Sequence, residues 1–195
     1  MKTPRYSVPS IQNLPEDIKA RILEVQEKIG FVPNVFLTLA HRPAEWRAFF
    51  DYHDALMAPE TIGRKSGLTK GEREMIVTTT SALNHCLYCV IAHGAILRIY
   101  EKDPLIADQL SINYRKASLS QRQTGMLEFA IKICERSHEI TESDFEQLHR
   151  VGFDDDDIWD IGAITAFFGM SNRLANFTGV QPNSEFYTLG RGKRK

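Results

Sequence analysis

The sequence predicts an all-α protein, and three observations predict it. Apolar residues recur at three- and four-residue steps in one segment after another. Those segments open with caps or prolines and close with glycines. No alternating apolar/polar stretch is long enough to demand a sheet. The expected architecture is a helical bundle.

The elements follow in order. Leu14-Pro15-Glu16-Asp17 puts proline and acids in a first turn; Ile18, Ile22, Val25 and Ile29 then share a face until Gly30 ends the helix. Pro33 and Pro43 punctuate two further segments, the second carrying Trp46, Phe49, Phe50, His53 and Leu56. Residues 58–67, with Pro59, Gly63 and Gly67, read as a loop. Thr69-Lys70-Gly71-Glu72 is a capping-box pattern that starts a helix bearing Glu74. A helix with Cys86 and Cys89 follows, expected to begin near Asn84 or His85 and to end before Asp103-Pro104, itself a cap-plus-proline start. Ser120 precedes a helix with Met126, Phe129, Ala130 and Ile133, and Thr141-Glu142-Ser143-Asp144 opens a short helix closed by Gly152. The acids Asp154 to Asp157 precede Ile158, Trp159, Ile161, Ile164, Phe167 and Phe168; packed into a first turn, they read as compensation of the helix dipole, with a metal cluster as the alternative.

Composition narrows the function. With 195 residues, 43% of them hydrophobic, the chain can bury a substantial core. A net charge of −1 offers no electrostatic reason to expect nucleic acid or a membrane surface as partner. No apolar run approaches the ~20 residues that span a bilayer, and the N-terminus leads into no apolar signal region. Three cysteines are an odd count for a disulfide scaffold, so a reducing, cytoplasmic setting is expected. The large aromatics Trp46, Phe49, Phe50, Phe167 and Phe168 are more than a chain of this size readily hides, and burial between subunits is one outlet for them, the subunit's own core the other.

The chemistry concentrates in one span. Cys86 and Cys89 are three residues apart and Cys89 and His93 four apart, so one helix would project all three from one face. Thiols on a first helical turn meet unpaired N–H groups and the positive end of the dipole, which favour thiolate. Two thiols at this spacing can close a disulfide: one becomes a sulfenic acid on meeting an oxidant and the other resolves it. His93 is placed to take a thiol proton, and an antiparallel return of the preceding helix would let Glu74 reach His93 or Cys86 and orient the base.

Two other readings stay open. Cys-x-x-Cys pairs are often zinc ligands, and His93 with Glu74 would complete a set of four, although structural zinc sites usually draw a second ligand pair from elsewhere. The cysteines could also be purely structural, as Cys134 amid Phe129, Ile131 and Ile133 is expected to be. His85 points off the thiol face and suits capping or solvent. His41, His138 and His149 have no partner pattern, and His53 joins the site only if its helix packs there.

At these residues the chain resembles the AhpD-like alkylhydroperoxidases within the carboxymuconolactone decarboxylase superfamily. That family's site pattern is glutamate, eleven residues, Cys-x-x-Cys, three residues, histidine, and Glu74, Cys86, Cys89 and His93 keep every spacing. Leu68-Thr69-x-x-Glu72-Arg73-Glu74, Asp157-Ile158-x-Asp160-Ile161 and Asn172-Arg173-Leu174-Ala175 are similar as well, and the length and the Pro-Glu-Asp segment look most like its peroxidase-related branch. The resemblance implies one AhpD-like all-helical domain over 1–195, with N-terminal helices of 1–60 packing on a Cys-x-x-Cys core of 68–180 and a basic tail at 190–195. It also implies a homo-oligomer, and hydroperoxide reduction without haem, flavin, metal or other cofactor, supported by a dithiol donor such as a lipoylated or thioredoxin-like protein. Carried over by residue, Cys89 becomes the sulfenic acid, Cys86 is the proton donor and disulfide partner, and Glu74 with His93 forms the proton relay. One departure stands out: Tyr88 replaces the histidine that precedes the second cysteine in the best-known pattern. A lactone-type lyase, which would tolerate loss of both cysteines, and a metal-binding or redox-sensing module without turnover are the alternatives.

Overall fold

A computed structural model describes residues 5–192, and among them the ordered elements are helices with no strand. They are α1 (Glu16–Ile29), α2 (Asn34–Leu39), α3 (Pro43–Met57), α4 (Lys70–Leu83), α5 (Leu87–Glu101), α6 (Ile106–Asn113), α7 (Gln121–Arg136), α8 (Glu142–Arg150) and α9 (Asp155–Thr178). The fold class is all-α, as the periodicity predicts. Residues 193–195 of the expected basic tail lie outside the described residues.

Helix ends fall where the caps put them. Gly30 takes the left-handed conformation, φ 87°, that a Cβ would resist, and its N–H closes α1 on the Gln26 carbonyl. Thr69 and Glu72 form the reciprocal capping box of α4, and Ser120 with Gln123 does the same for α7. In the 58–67 connection, read as loop, Pro59–Ile62 makes one turn of 3-10 helix. After Asp103-Pro104 the helix starts slightly late: the Asp103 carboxylate accepts the Leu105 N–H at 2.8 Å and α6 begins at Ile106.

The acid run is a helix start tied to its surroundings. Asp154 and Asp157 cap α9 reciprocally, Asp157 accepts the Gly67 N–H at 2.7 Å, and Asp160 pairs with Arg64 at 2.9 Å. Ionised side chains fixed in this way hold the loop before α4 against the first turns of α9.

Helix α4 is the centre of the molecule. Eleven consecutive residues, Gly71 to Ser81, are buried, so the helix is enclosed on all sides rather than along a stripe. Its polar residues are mostly partnered inside: Glu72 by Arg122 at 3.0 Å, Thr80 by the Ile76 carbonyl at 2.7 Å, and Ser81 by the Asn172 amide at 2.9 Å. Met75, Ile76 and Val77 pack with Leu97, Leu110, Met126, Leu127, Ile158, Ile161 and Phe168 in the main core.

A second, smaller core gathers Leu14, Ile18, Ile22, Ala40, Trp46 and Phe50 beneath α1–α3. Phe36 stacks on Phe50 at 4.3 Å and Trp46 lies 4.4 Å from Phe50. Trp46, Phe50, Phe167 and Phe168 are each no more than 3% exposed, and Phe49 packs against both cores. Of the two outlets open to these aromatics, the subunit's own core is the one they take: α3 lies against α9 and buries them within the chain. Cys134, expected to be structural and in the core, is half-buried on α7, whose buried residues are Met126, Leu127, Phe129 and Ala130.

Candidate active site

A three-residue connection turns the chain from α4 into α5. His85 adopts a left-handed conformation, φ 53°, and the Cys86 N–H returns to the Ser81 carbonyl at 2.9 Å. The two helices then run antiparallel, with Gly71 beside Glu101 and Glu74 beside His93. His93 Nδ1 lies 2.8 Å from Glu74 Oε2, and both side chains are almost fully enclosed. The carboxylate fixes the ring orientation and leaves Nε2 as the atom free to exchange protons.

Cys86 does not lie within the helix, as one shared helical face would require; it is the N-cap of α5. Its Sγ accepts the Cys89 N–H at 3.4 Å, the position a serine or aspartate oxygen commonly fills. Both cysteines are buried, Cys86 at 1% and Cys89 at 3% exposure. A hydrogen bond from the Cys89 thiol, with the Cys89 N–H, the Asn172 amide and the charge of His93, brings the Cys86 thiol down to about 7 despite burial. Cys89 moves the other way: it donates to Cys86, is desolvated and sits beside the Cys86 charge, so its ionisation lies well above the ordinary thiol value. The pair therefore shares one proton near neutrality, with the charge centred on Cys86.

Access belongs to the other sulfur. A cavity of about 680 Å³ opens where the N-terminal core, the main core and the cluster around the cysteines meet, and Cys89 and His93 are on its wall while Cys86 lies behind. Val35, Phe36, Phe50, Phe168 and Phe186 supply much of the lining, with Arg21, Glu24 and Lys28 at the α1 side. The C-terminal segment is a built wall of this cavity. Buried Arg98 donates to the Phe186 carbonyl at 2.8 Å and to the Leu189 carbonyl at 2.8 and 3.0 Å. Asn183 accepts the Asn34 N–H at 2.8 Å and donates to the Val32 carbonyl at 2.9 Å.

The structure thus brings Glu74 to His93 and Cys86 to Cys89, and seats Cys89 with His93 on one cavity. Tyr88 is buried in the same wall; its hydroxyl accepts the Val35 N–H at 3.3 Å, and burial pushes its ionisation far up, which makes it a poor proton donor. His53, conditional in the sequence, lines the cavity, whereas His85 is exposed, His41 packs at a tilt against Tyr6, and His149 pairs with Asp155. Among the described residues no group of three or more His, Cys, Asp or Glu side chains converges as a metal site requires. Sequence reasoning gave Asn172 no role of its own. It is wholly buried, donates to Ser81, accepts from Asn84 at 2.9 Å and faces both sulfurs. A polar pair, Ser171-Asn172, inside the apolar run of α9 was the available signal.

Residues 43–104, from the start of α3 past the end of α5, match the Carboxymuconolactone decarboxylase family. No curated protein matches the chain. Among solved structures, an uncharacterised peroxidase-related protein from Ralstonia eutropha JMP134, described as an alkylhydroperoxidase AhpD core, is 64% identical over 98% of each chain with a TM-score of 0.94. An uncharacterised peroxidase-related protein from Silicibacter sp. TM1040 is 40% identical over 96% of each chain, TM-score 0.89. A putative antioxidant defence protein AhpD from Agrobacterium tumefaciens shares the fold at 18% identity, covering 74% of this chain and 94% of its own, TM-score 0.64. Sequence pattern, helical topology and these relatives agree, and the chain belongs to the AhpD-like group of the carboxymuconolactone decarboxylase family, a family of enzymes.

Proposed function

We propose that the protein is a thiol-dependent hydroperoxide reductase that uses Cys86 and Cys89 as its redox pair. The observation that carries this reading is the division of labour at the site: Cys89 is on the cavity wall, while Cys86 caps α5 behind it with its ionisation lowered to about 7 and that of Cys89 raised. Passing the Cys89 proton to Cys86 leaves a thiolate on the cavity wall. The Cys89 thiolate attacks the terminal oxygen of a hydroperoxide; the S–O bond forms, the O–O bond breaks, and the alkoxide leaves as an alcohol after taking a proton. Cys86 gives up its proton, with His93 and Glu74 as the relay, and its sulfur attacks the Cys89 sulfenic acid. The S–S bond forms and hydroxide departs, protonated, as water. Two thiols and one hydroperoxide become one disulfide, one alcohol and one water.

The cavity's apolar, aromatic wall suits an organic hydroperoxide better than hydrogen peroxide. Closing the cycle requires an external dithiol, such as a lipoylated or thioredoxin-like protein. A homo-oligomer is part of the same proposal. The peroxidase-related description of the R. eutropha protein supports the reading at 64% identity. Thiol titration before and after one equivalent of cumene hydroperoxide, with intact mass, tests it. Both thiols should disappear together, with a loss of about two hydrogens reversed by dithiothreitol. Sulfinic acid accumulating on Cys89 with Cys86 still free would refute the resolving role. Lactone decarboxylation that survives replacement of both cysteines would point to the lyase instead.

A further inference from the structure

The leaving alkoxide needs a proton on the cavity side, and the residues already assigned have other tasks. Cys86 is not on the cavity wall, His93 lines the cavity but is assigned with Glu74 to the proton of the sulfurs, and the Tyr88 hydroxyl is buried against Val35. A second imidazole stands in the same cavity. His53, on α3, has its ring centroid 6.4 Å from that of His93, and both rings pack edge-on to Phe168, His93 at 4.8 Å and His53 at 6.2 Å. Asp54 Oδ1 lies 3.0 Å from His53 Nδ1, and Asp54 Oδ2 accepts from Arg21 at 2.5 Å. Burial works against the Asp54 charge, but the His53 hydrogen bond and Arg21 outweigh it and keep this carboxyl below its usual range. Arg21 is itself held over the Trp46 and Phe50 rings at 5.4 and 5.3 Å. Arg21, Asp54 and His53 thus form a relay entering the cavity from the N-terminal helices, as Glu74 and His93 enter it from α4 and α5. An ionised Asp54 accepts from Nδ1–H, which leaves Nε2 of His53 as the atom that faces a ligand.

We propose that His53 is the general acid for the departing oxygen: its protonated ring donates from Nε2 to the alkoxide released when Cys89 takes the terminal oxygen. This inference rests on the hydroperoxide-reductase reading. It divides the proton traffic between two imidazoles, His93 serving the sulfurs and His53 the alcohol. In the step, Cys89 gains the S–O bond, the O–O bond breaks, the alkoxide receives the His53 proton, and neutral His53 is reprotonated from water. It also gives α1 and α3 a catalytic purpose, since they bring the whole of this second relay to the dithiol.

The test compares two oxidants that differ in their need for a proton. Cumene hydroperoxide releases a strongly basic alkoxide, whereas peroxybenzoic acid releases benzoate, which departs unprotonated. Single-turnover oxidation of the reduced full chain is followed by quenching and intact mass. In His53→Gln the ratio of the cumene hydroperoxide rate to the peroxybenzoic acid rate should fall roughly 100-fold. Asp54→Asn, which leaves the ring in place, should lower the same ratio by a smaller factor, and it decides the matter if His53→Gln does not fold. Equal slowing with both oxidants, or an unchanged rate with cumene hydroperoxide, would overturn the assignment. Failure of the unmodified protein to react with either oxidant would remove the reductase reading itself and this inference with it. Oxidation of the unmodified protein with an unchanged ratio in both variants would remove only the role of His53.

Discussion

At the scale of single residues, the charge and the reachable sulfur are on different cysteines. Cys86 carries the thiolate because it caps α5 and receives hydrogen bonds; Cys89 meets the cavity because it lies one turn further in. Alkylation of the reduced protein should therefore follow an ionisation near pH 7, falling away as the pH drops through that value. In Cys86→Ser the inflection near 7 should disappear and move up toward the ordinary thiol range, because the sulfur that carries it is gone and Cys89 stays buried; an inflection staying near 7 would mean the charge was misassigned. The same shift bears on stability. A thiol whose folded value is lowered contributes stability that is complete above its unfolded value of 9.0 and lost as pH falls through about 7. Urea midpoints of the reduced protein should accordingly rise between pH 7 and pH 9. His93→Gln should slow alkylation at pH 7 and leave it nearly unchanged at pH 10, where the thiol ionises unaided, and Glu74→Gln should give a smaller defect in the same direction. Equal losses at both pH values would make His93 structural.

At the scale of elements, the cavity depends on segments that contribute little chemistry. Arg98 on α5 satisfies the Phe186 and Leu189 carbonyls while only 3% exposed, so it pins the C-terminal segment over the cysteine cluster. Arg98→Ala would strand those carbonyls and remove a charge-assisted contact, a loss of about 2–4 kcal/mol in urea unfolding. Arg98→Lys should recover only part of that, because an ammonium cannot reproduce the planar fork of donors. No measurable loss in Arg98→Ala would show that the segment is held by Phe186 packing alone. The capping boxes of α4, α7 and α9 are a different case. Their residues identify themselves by type and spacing, and those helices start where the pattern puts them.

At the scale of the molecule, burial of Trp46, Phe50, Phe167 and Phe168 inside the subunit removes one argument for assembly and leaves a different surface. Ile112 is 86% exposed, Trp159 75% and Leu105 56%. Such side chains on helix surfaces are candidates for subunit contacts. Light scattering should report a mass above the 22.2 kDa of one chain at micromolar concentration; a stable monomer would end the oligomer proposal. Among the described residues no helix is long and apolar enough to cross a membrane. Protein purified without added metal should carry well under one zinc per chain, and peroxide turnover should survive chelation, because thiolates locked in a closed zinc site could not change oxidation state. One zinc per chain, with unfolding on its removal, would replace the redox assignment by a structural-metal one.

The sequence by itself determined the helices, their caps and the four-residue pattern of Glu74, Cys86, Cys89 and His93, because each is written in local spacing. Period, cap chemistry and motif distance act within a few residues of chain, where side-chain geometry follows from backbone geometry. Only the tertiary structure decided the rest. That α4 is enclosed on every side was hidden, since Glu72, Glu74 and Ser81 find their partners only when Arg122, His93 and Asn172 arrive from other helices. The exclusion of Cys86 from the cavity was hidden too, because capping is a property of where α5 starts and not of the Cys-x-x-Cys spacing. The entry of His53 depends on α3 packing against α9, a contact between residues more than a hundred positions apart. Long-range packing of this kind leaves no periodic trace in the chain, and it is what turns four residues on a hairpin of helices into a site with a cavity and two imidazoles.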